Sequence, residues 1–191
     1  MQLALAAGDS VTALVRSADS LSDMSHERLT IEVGNVRDPA FLTSILPGHD
    51  AVVSTVGPRS PTKSACTIYT DAANAIVEAM EATGLRRVLV TSTALLFPPT
   101  KLMDRFIRVI AKNNFRAAGE MEARIRGADL DWTFARSGFL NDDEATTYLK
   151  AEGSMPEAFG SISRSALATF LFDALKTNEH IGKVVGLSKT N

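Results

Sequence analysis

Arg86-Arg87-Val88-Leu89-Val90-Thr91-Ser92-Thr93-Ala94 is the stretch that decides the fold. An aliphatic run gives way to three consecutive hydroxyl residues. It is too short for a buried helix, and Gly84 just before it suits a helix stop. The run therefore reads as a buried parallel strand whose carboxyl end opens into a site. In an open α/β sheet ligands bind outside the carboxyl ends of the strands, which directs Ser92 and its neighbours toward whatever is bound. Thr91, Ser92 and Thr93 would serve equally well as caps of a following helix, and the stretch alone does not choose.

Working outward, the same alternation recurs. Before the strand, Ile68, Ala72, Ile76, Val77 and Met80 repeat at helical spacing between Ala65 and Thr83. Ala51 to Val56 is a buried strand ending at Gly57. Asp38-Pro39 starts a helix, with Asp as cap and Pro in the first helical position. Leu29 to Val33 alternates as a strand closed by Gly34-Asn35-Val36, and Ser10 to Val15 is a strand ending in Arg16-Ser17. Met1 to Gly8 reads as the last turns of a helix, and Ala18 to Arg28 holds a short one. Beyond Ala94, Leu102 to Ile110 is amphipathic, with a break near Asn113-Asn114 before helix resumes to about Arg126. Leu130 to Ala135 is a strand followed by Arg136-Ser137-Gly138-Phe139. Asn141 to Gly160 is irregular and acidic, expected as a substrate-side flap. Ser163 caps a last helix and Val184 to Leu187 forms a last strand. Strands alternating with helices predict one domain over 1–191: an α/β, Rossmann-type, doubly wound parallel sheet.

Composition narrows the function. The chain is 45% hydrophobic and 22% charged with net charge −2, and has no basic block to attract nucleic acid or an anionic membrane. No apolar run nears the ~20 residues of a membrane span, and the start lacks the layout of a signal peptide. The expected setting is cytoplasmic. Cys66 is the one cysteine, and His26, His49 and His180 are scattered, so no disulfide or metal site is expected. A small-molecule ligand and a monomer or weak homodimer are the expectation.

Three strand ends carry candidate binding chemistry. Arg16 stands where dinucleotide-binding folds place either an acid for the ribose 2′-hydroxyl or an Arg for a 2′-phosphate, because a guanidinium pairs with phosphate and a carboxylate repels it. A solvated strand-end Arg is the other reading. The Asn35 amide and the Val36 N–H suit an adenine edge, or form a plain turn. Gly57, without a side chain, lets a ribose or pyrophosphate approach the backbone.

Taken in order, Val11 to Arg16, Gly34-Asn35-Val36, Ala51 to Arg59, Val90 to Lys101 and Leu130 to Phe139 make the chain resemble an atypical short-chain dehydrogenase/reductase. The likeness is to the NmrA-like and flavin reductase (biliverdin reductase type B) group and covers nearly all 191 residues. The resemblance implies NADP(H) in preference to NAD(H), with Arg16 and Ser17 on the 2′-phosphate and Asn35 with Val36 on the adenine. Asn35 departs from the Asp often found there. Gly57 matches the ribose-side turn, Thr91 and Ser92 the strand end facing the nicotinamide, and Arg136, Ser137, Gly138 and Phe139 the segment flanking its amide. Ser92 is then the candidate catalytic residue.

Two absences qualify that picture. Neither Tyr69 nor Tyr148 is followed four residues later by Lys. The phenol proton donor that alcohol chemistry uses is therefore missing, which leaves hydride transfer to a planar acceptor such as a flavin or quinone. No Gly-x-x-Gly-x-x-Gly occurs either, and no strand precedes Met1. The family's first strand and phosphate loop are expected to lie upstream of this sequence, leaving two strands roughly 9–10 Å apart across an interior gap. A non-catalytic NADP-binding regulator and a ligand-free remnant stand as alternatives to the reductase. Without glycine-loop N–H groups for the diphosphate, the 191-residue chain should bind NADP(H) poorly. Titration against a form extended upstream by about 20 residues, enough for a strand, loop and helix start, checks this; micromolar affinity in the short form would contradict it.

Overall fold

The computed structural model describes residues 1–99, 102–156 and 160–190, with the backbone alone at Met103 and Asp104. Positions 100–101 of the expected Val90–Lys101 motif and 157–159 of the expected flap lie outside the described residues.

The opening stretch is strand β4 in the chain order used here, spanning Arg87–Thr93. A long helix, α3 (Lys63–Thr83), leads into it. The Thr62 side chain accepts from the Ala65 N–H at the start of that helix, and Gly84 ends it in the left-handed region at φ 73°. β4 pairs in parallel with β3 (Ala51–Ser54) on one side and β5 (Asp131–Ser137) on the other. Beyond β5 comes β9 (Lys183–Lys189), also parallel, and then β7 (Tyr148–Glu152), antiparallel at the edge. The order is β3-β4-β5-β9-β7.

Side chains alternate across this sheet, and each face has its own core. Val88, Val90 and Phe134 lie on one face, against α3 and α5 (Lys112–Arg126). The intervening Leu89 and Ala135 turn to the other face, where Val185 and Leu187 meet α6 (Arg164–Thr177). Phe134, Val88, Leu89, Val185 and Leu187 are fully buried; burying each large apolar side chain contributes on the order of 1.5–3 kcal/mol. Helix α2 (Pro39–Ile45) starts where Asp38 accepts from the Phe41 N–H at 3.1 Å, and it joins the α3 face. α1 (Gln2–Ala6) lies against α6, tied by the Lys176–Asp9 ion pair. Helices thus cover both faces of a mainly parallel sheet, the Rossmann arrangement.

β1 (Val11–Val15) and β2 (Leu29–Val33) pair in parallel with each other only, as a separate two-stranded sheet. β1 and β3 face one another across a cleft without a shared ladder. A third pair, β6 (Phe139–Asn141) and β8 (Ser161–Ser163), is also parallel.

The five expected parallel strands are all present, and three details differ. Part of the expected irregular flap is strand β7, because Tyr148 and Leu149 pack inward while Lys150 and Glu152 face solvent. It runs antiparallel to β9, so the sheet is mixed. The helix break falls at Ala111, between α4 (Leu102–Ile110) and α5, ahead of the two asparagines. Ser92 continues the strand, and Thr93 does the capping, accepting from the Leu95 N–H at 3.2 Å. Among the described residues no helix is long and apolar enough to cross a membrane.

Two glycines predict opposite signs on replacement. A Cβ on Gly186, inside β9, would fall 2.1 Å from the Ser154 carbonyl oxygen, which is backbone and cannot swing aside. Gly186→Ala should cost roughly 1–3 kcal/mol as overpacking. On Gly119, inside α5, a Cβ would meet Leu96 at an ordinary 3.5 Å, and Gly119→Ala should gain about 0.5–1 kcal/mol from helix propensity. Urea denaturation of the two variants checks the pair.

Candidate functional site

The cleft between β1 and β3 has a volume of about 490 Å³ and collects residues from the carboxyl ends of both strands. β1 ends at Val15 and delivers Arg16 to the cleft. The Gly34 N–H donates to the Val15 carbonyl at 2.9 Å, holding the β2 turn against that end. Glycine is needed here, because a Cβ would sit 2.4 Å from the Phe41 ring. The turn brings Val36 to the cleft wall. Gly57, just past β3, lies where an added Cβ would come within 3.7 Å of the Tyr69 hydroxyl, and Arg59 follows it around Pro58.

Arg16 and Arg59 both line this cleft, and among the described residues neither makes an ion pair or a side-chain hydrogen bond. Every carboxylate near enough to have neutralised them is absent from the cleft wall. Two solvated guanidinium groups beside Gly57 suit an anion, and phosphate most of all, because the planar fork pairs with it bidentately. Arg59 went unremarked in the sequence, where a lone Arg after Pro carries no periodic signal.

The remaining sequence candidates separate. Ser17 donates to Asp19 Oδ2 at 3.2 Å and caps the short 3-10 turn Ala18–Leu21. Asn35 Oδ1 accepts from the Arg37 N–H at 3.1 Å, so the amide oxygen is engaged with its own turn. Thr91 donates to the Ser54 carbonyl at 3.5 Å, a weak link between adjacent strands.

Ser92 and Arg136 stand opposite each other in register on β4 and β5. A third residue joins them. Ser92 Oγ donates to Glu122 Oε1 at 2.7 Å, and Arg136 grips the same carboxylate with Nε at 2.9 Å and Nη2 at 2.6 Å. Arg126 adds a contact at 3.1 Å from the next turn of α5. The Arg136 guanidinium also lies 4.6 Å over the Phe97 ring. Glu122 is only 3% exposed, so its charge is held inside the protein by two cations and a hydroxyl. The sequence does contain a signal for it. Ala118, Met121, Glu122 and Ile125 fall at i, i+3, i+4 and i+7, and Glu122 is the charged member of an otherwise apolar inward stripe.

After Arg136, Ser137 is buried, and Gly138 meets a second chain segment. The Phe139 N–H donates to the Gly160 carbonyl at 3.0 Å, and a Cβ on Gly138 would collide with that oxygen. Burial pushes the Tyr69 phenol up to about 12 and raises the Cys66 thiol, so both keep their protons at neutral pH. Among the described residues no group of three His, Cys, Asp or Glu side chains is gathered to hold a metal ion.

Comparison with known proteins agrees with this geometry. The chain matches the model of the NAD(P)H-binding family over residues 1–178 and belongs to that family. Solved structures share its fold at low identity. A putative exported protein from Burkholderia pseudomallei is 22% identical, with TM-score 0.79 over 98% of this chain and 91% of the other. A putative epimerase from Bacteroides thetaiotaomicron is 20% identical, with TM-score 0.82 over 100% and 90%. A short-chain dehydrogenase/reductase (wide type) from Veillonella parvula, solved in complex with NADP, is 20% identical, with TM-score 0.73 over 94% and 82%.

The buried carboxylate yields a ranked prediction. Glu122→Gln leaves Arg136 without its counter-charge and should cost about 3–5 kcal/mol, the usual penalty for removing one partner of a buried pair. Arg126, whose side chain is 41% exposed, should cost less than ~1 kcal/mol when changed to Ala. Chemical denaturation of both variants checks the order.

Proposed function

We propose that this protein binds NADP(H) in preference to NAD(H) and passes a hydride to a small planar acceptor of the flavin or quinone type. The observation that carries the reading is the pair of unpartnered guanidinium groups, Arg16 and Arg59, on a cleft at strand carboxyl ends. A 2′-phosphate is the feature that distinguishes the two cofactors, and it is the group these cations suit. Val36 and Gly57 supply an apolar wall and an open backbone for the adenosine. When bound, the reduced nicotinamide supplies the hydride.

Ser92 acts in this reading as a positioning hydroxyl. Its proton goes to Glu122, so its oxygen keeps lone pairs to accept from an amide N–H or a water. Arg136 clamps the carboxylate that holds it. No His contacts Ser92 among the described residues, which removes the usual means of making a serine nucleophilic. The missing Tyr-x-x-x-Lys leaves solvent to provide the proton that follows the hydride.

A second reading, a non-catalytic NADP-binding regulator, draws support from burial. Ser92 is 7% exposed, a closed position for a residue that must meet a substrate.

Two measurements test these readings. Arg16→Ala and Arg59→Ala should each weaken adenosine 2′,5′-bisphosphate and NADPH by about 1.5–3 kcal/mol while barely altering NADH. Absolute affinities should be weak, for want of glycine-loop N–H groups, and calorimetric titration gives the ratio. Equal losses for both cofactors would return the two arginines to plain surface residues. Ser92→Ala should lower NADPH-dependent turnover of a flavin or quinone and leave NADPH affinity unchanged. Wild-type protein with NADPH bound and no turnover of either acceptor would favour the regulator.

A further inference from the structure

The cleft has a second property, and it lies in the backbone. The Val11 N–H donates to the Arg28 carbonyl and the Val15 carbonyl accepts from the Gly34 N–H. In a parallel ladder each residue directs its N–H and C=O to the same side, and successive residues alternate. Val11, Ala13 and Val15 therefore serve β2, and Thr12 and Leu14 turn their backbone groups toward the cleft, which both residues line. β3 is likewise bound by β4 along one edge only.

The two open edges run the same way. His49 Nε2 lies 2.8 Å from Thr12 Oγ1, so the amino ends of β1 and β3 are level. Above the edges the wall is apolar, formed by Leu14, Val36, Leu42, Ile45, Val52 and Ile76. Val53 of β3 is 44% exposed, although its strand has a buried neighbour on the other side. Unpaired backbone beside apolar surface is the arrangement that captures an added strand. At the carboxyl end stand the unpartnered cations Arg16 and Arg59.

We propose that this cleft is a receptor for the carboxyl-terminal strand of another protein. The occupant is a run of about five β-branched apolar residues, the length of β1. It pairs with β1 and β3 together, lies parallel to both, and ends in a free carboxylate. The direction follows from charge, because only a parallel strand brings its carboxylate to Arg16 and Arg59. The length follows from the edges, and the apolar character from the wall.

The probe is the synthetic peptide Lys-Lys-Val-Ile-Val-Ile-Val with a free carboxyl end, added to the full chain. Hydrogen exchange at the Thr12 and Leu14 amides should slow at least tenfold on addition. N-methylation of alternate peptide residues should abolish that protection, because it removes one ladder. The amidated peptide should bind about tenfold more weakly, and Arg16→Ala with Arg59→Ala should reduce the free-acid peptide to the level of the amide. Unchanged exchange at Thr12 and Leu14 would overturn the proposal. So would protection that survives N-methylation, since the apolar wall alone would then explain binding. Protection that rises with protein concentration without peptide, together with a dimer mass, would show that a second copy fills the cleft, and would overturn it too. The dinucleotide reading is tested separately, since adenosine 2′,5′-bisphosphate offers no backbone ladder to Thr12 or Leu14.

Discussion

An interior strand has nowhere to leave a backbone polar group unpaired, and β4 meets that constraint on every side. β3 and β5 complete its hydrogen bonds, and its side chains feed both cores in turn. The consequence reaches the chemistry. Because β4 and β5 are in parallel register, Ser92 and Arg136 emerge level with each other. One carboxylate on α5, Glu122, can then hold both. The position of each functional side chain follows from ladder register, and the helix above merely fixes what the register has brought together.

The opposite condition holds at the β1 and β3 edges. There the sheet is interrupted, and polar backbone meets a cleft lined by apolar side chains and two free cations. Family membership assigns this region to NAD(P)H binding. The same edges have hydrogen-bonding capacity that a nucleotide does not use. A phosphate and a peptide carboxylate would compete for Arg16 and Arg59, which links the two readings through one pair of charges.

Much of this was legible in the sequence because the signals were local. Asp38 with Pro39, Gly84 after Thr83, and Ser163 before Arg164 each mark a helix boundary by a backbone requirement, and each boundary falls where expected. The five parallel strands followed from short apolar runs between such marks. β7 was obscured because Glu144 and Glu152 gave its neighbourhood an acidic, loop-like composition, while the pairing that orders it comes from β9 over thirty residues away. In the site, Arg16, Val36 and Gly57 were visible as strand-end residues and do share one cleft. Glu122 was overlooked although a charge on an inward helical stripe is a readable anomaly. Which partner it takes depends on sheet register, and that no local pattern discloses.

The division of the sheet also bears on how the molecule comes apart. The larger sheet and its two cores share β4 and β5, so they should melt as one unit. β1 and β2 are joined to that body mainly by α1 against α6, the Lys176–Asp9 pair and the His49–Thr12 bond, with α2 spanning between. Those are surface ties, each worth little in water. Cooperativity in a small domain rests on every part losing its packing together. A chain whose first two strands are moored this way has a natural fault line, and its calorimetric enthalpy should exceed the van't Hoff value drawn from a single transition.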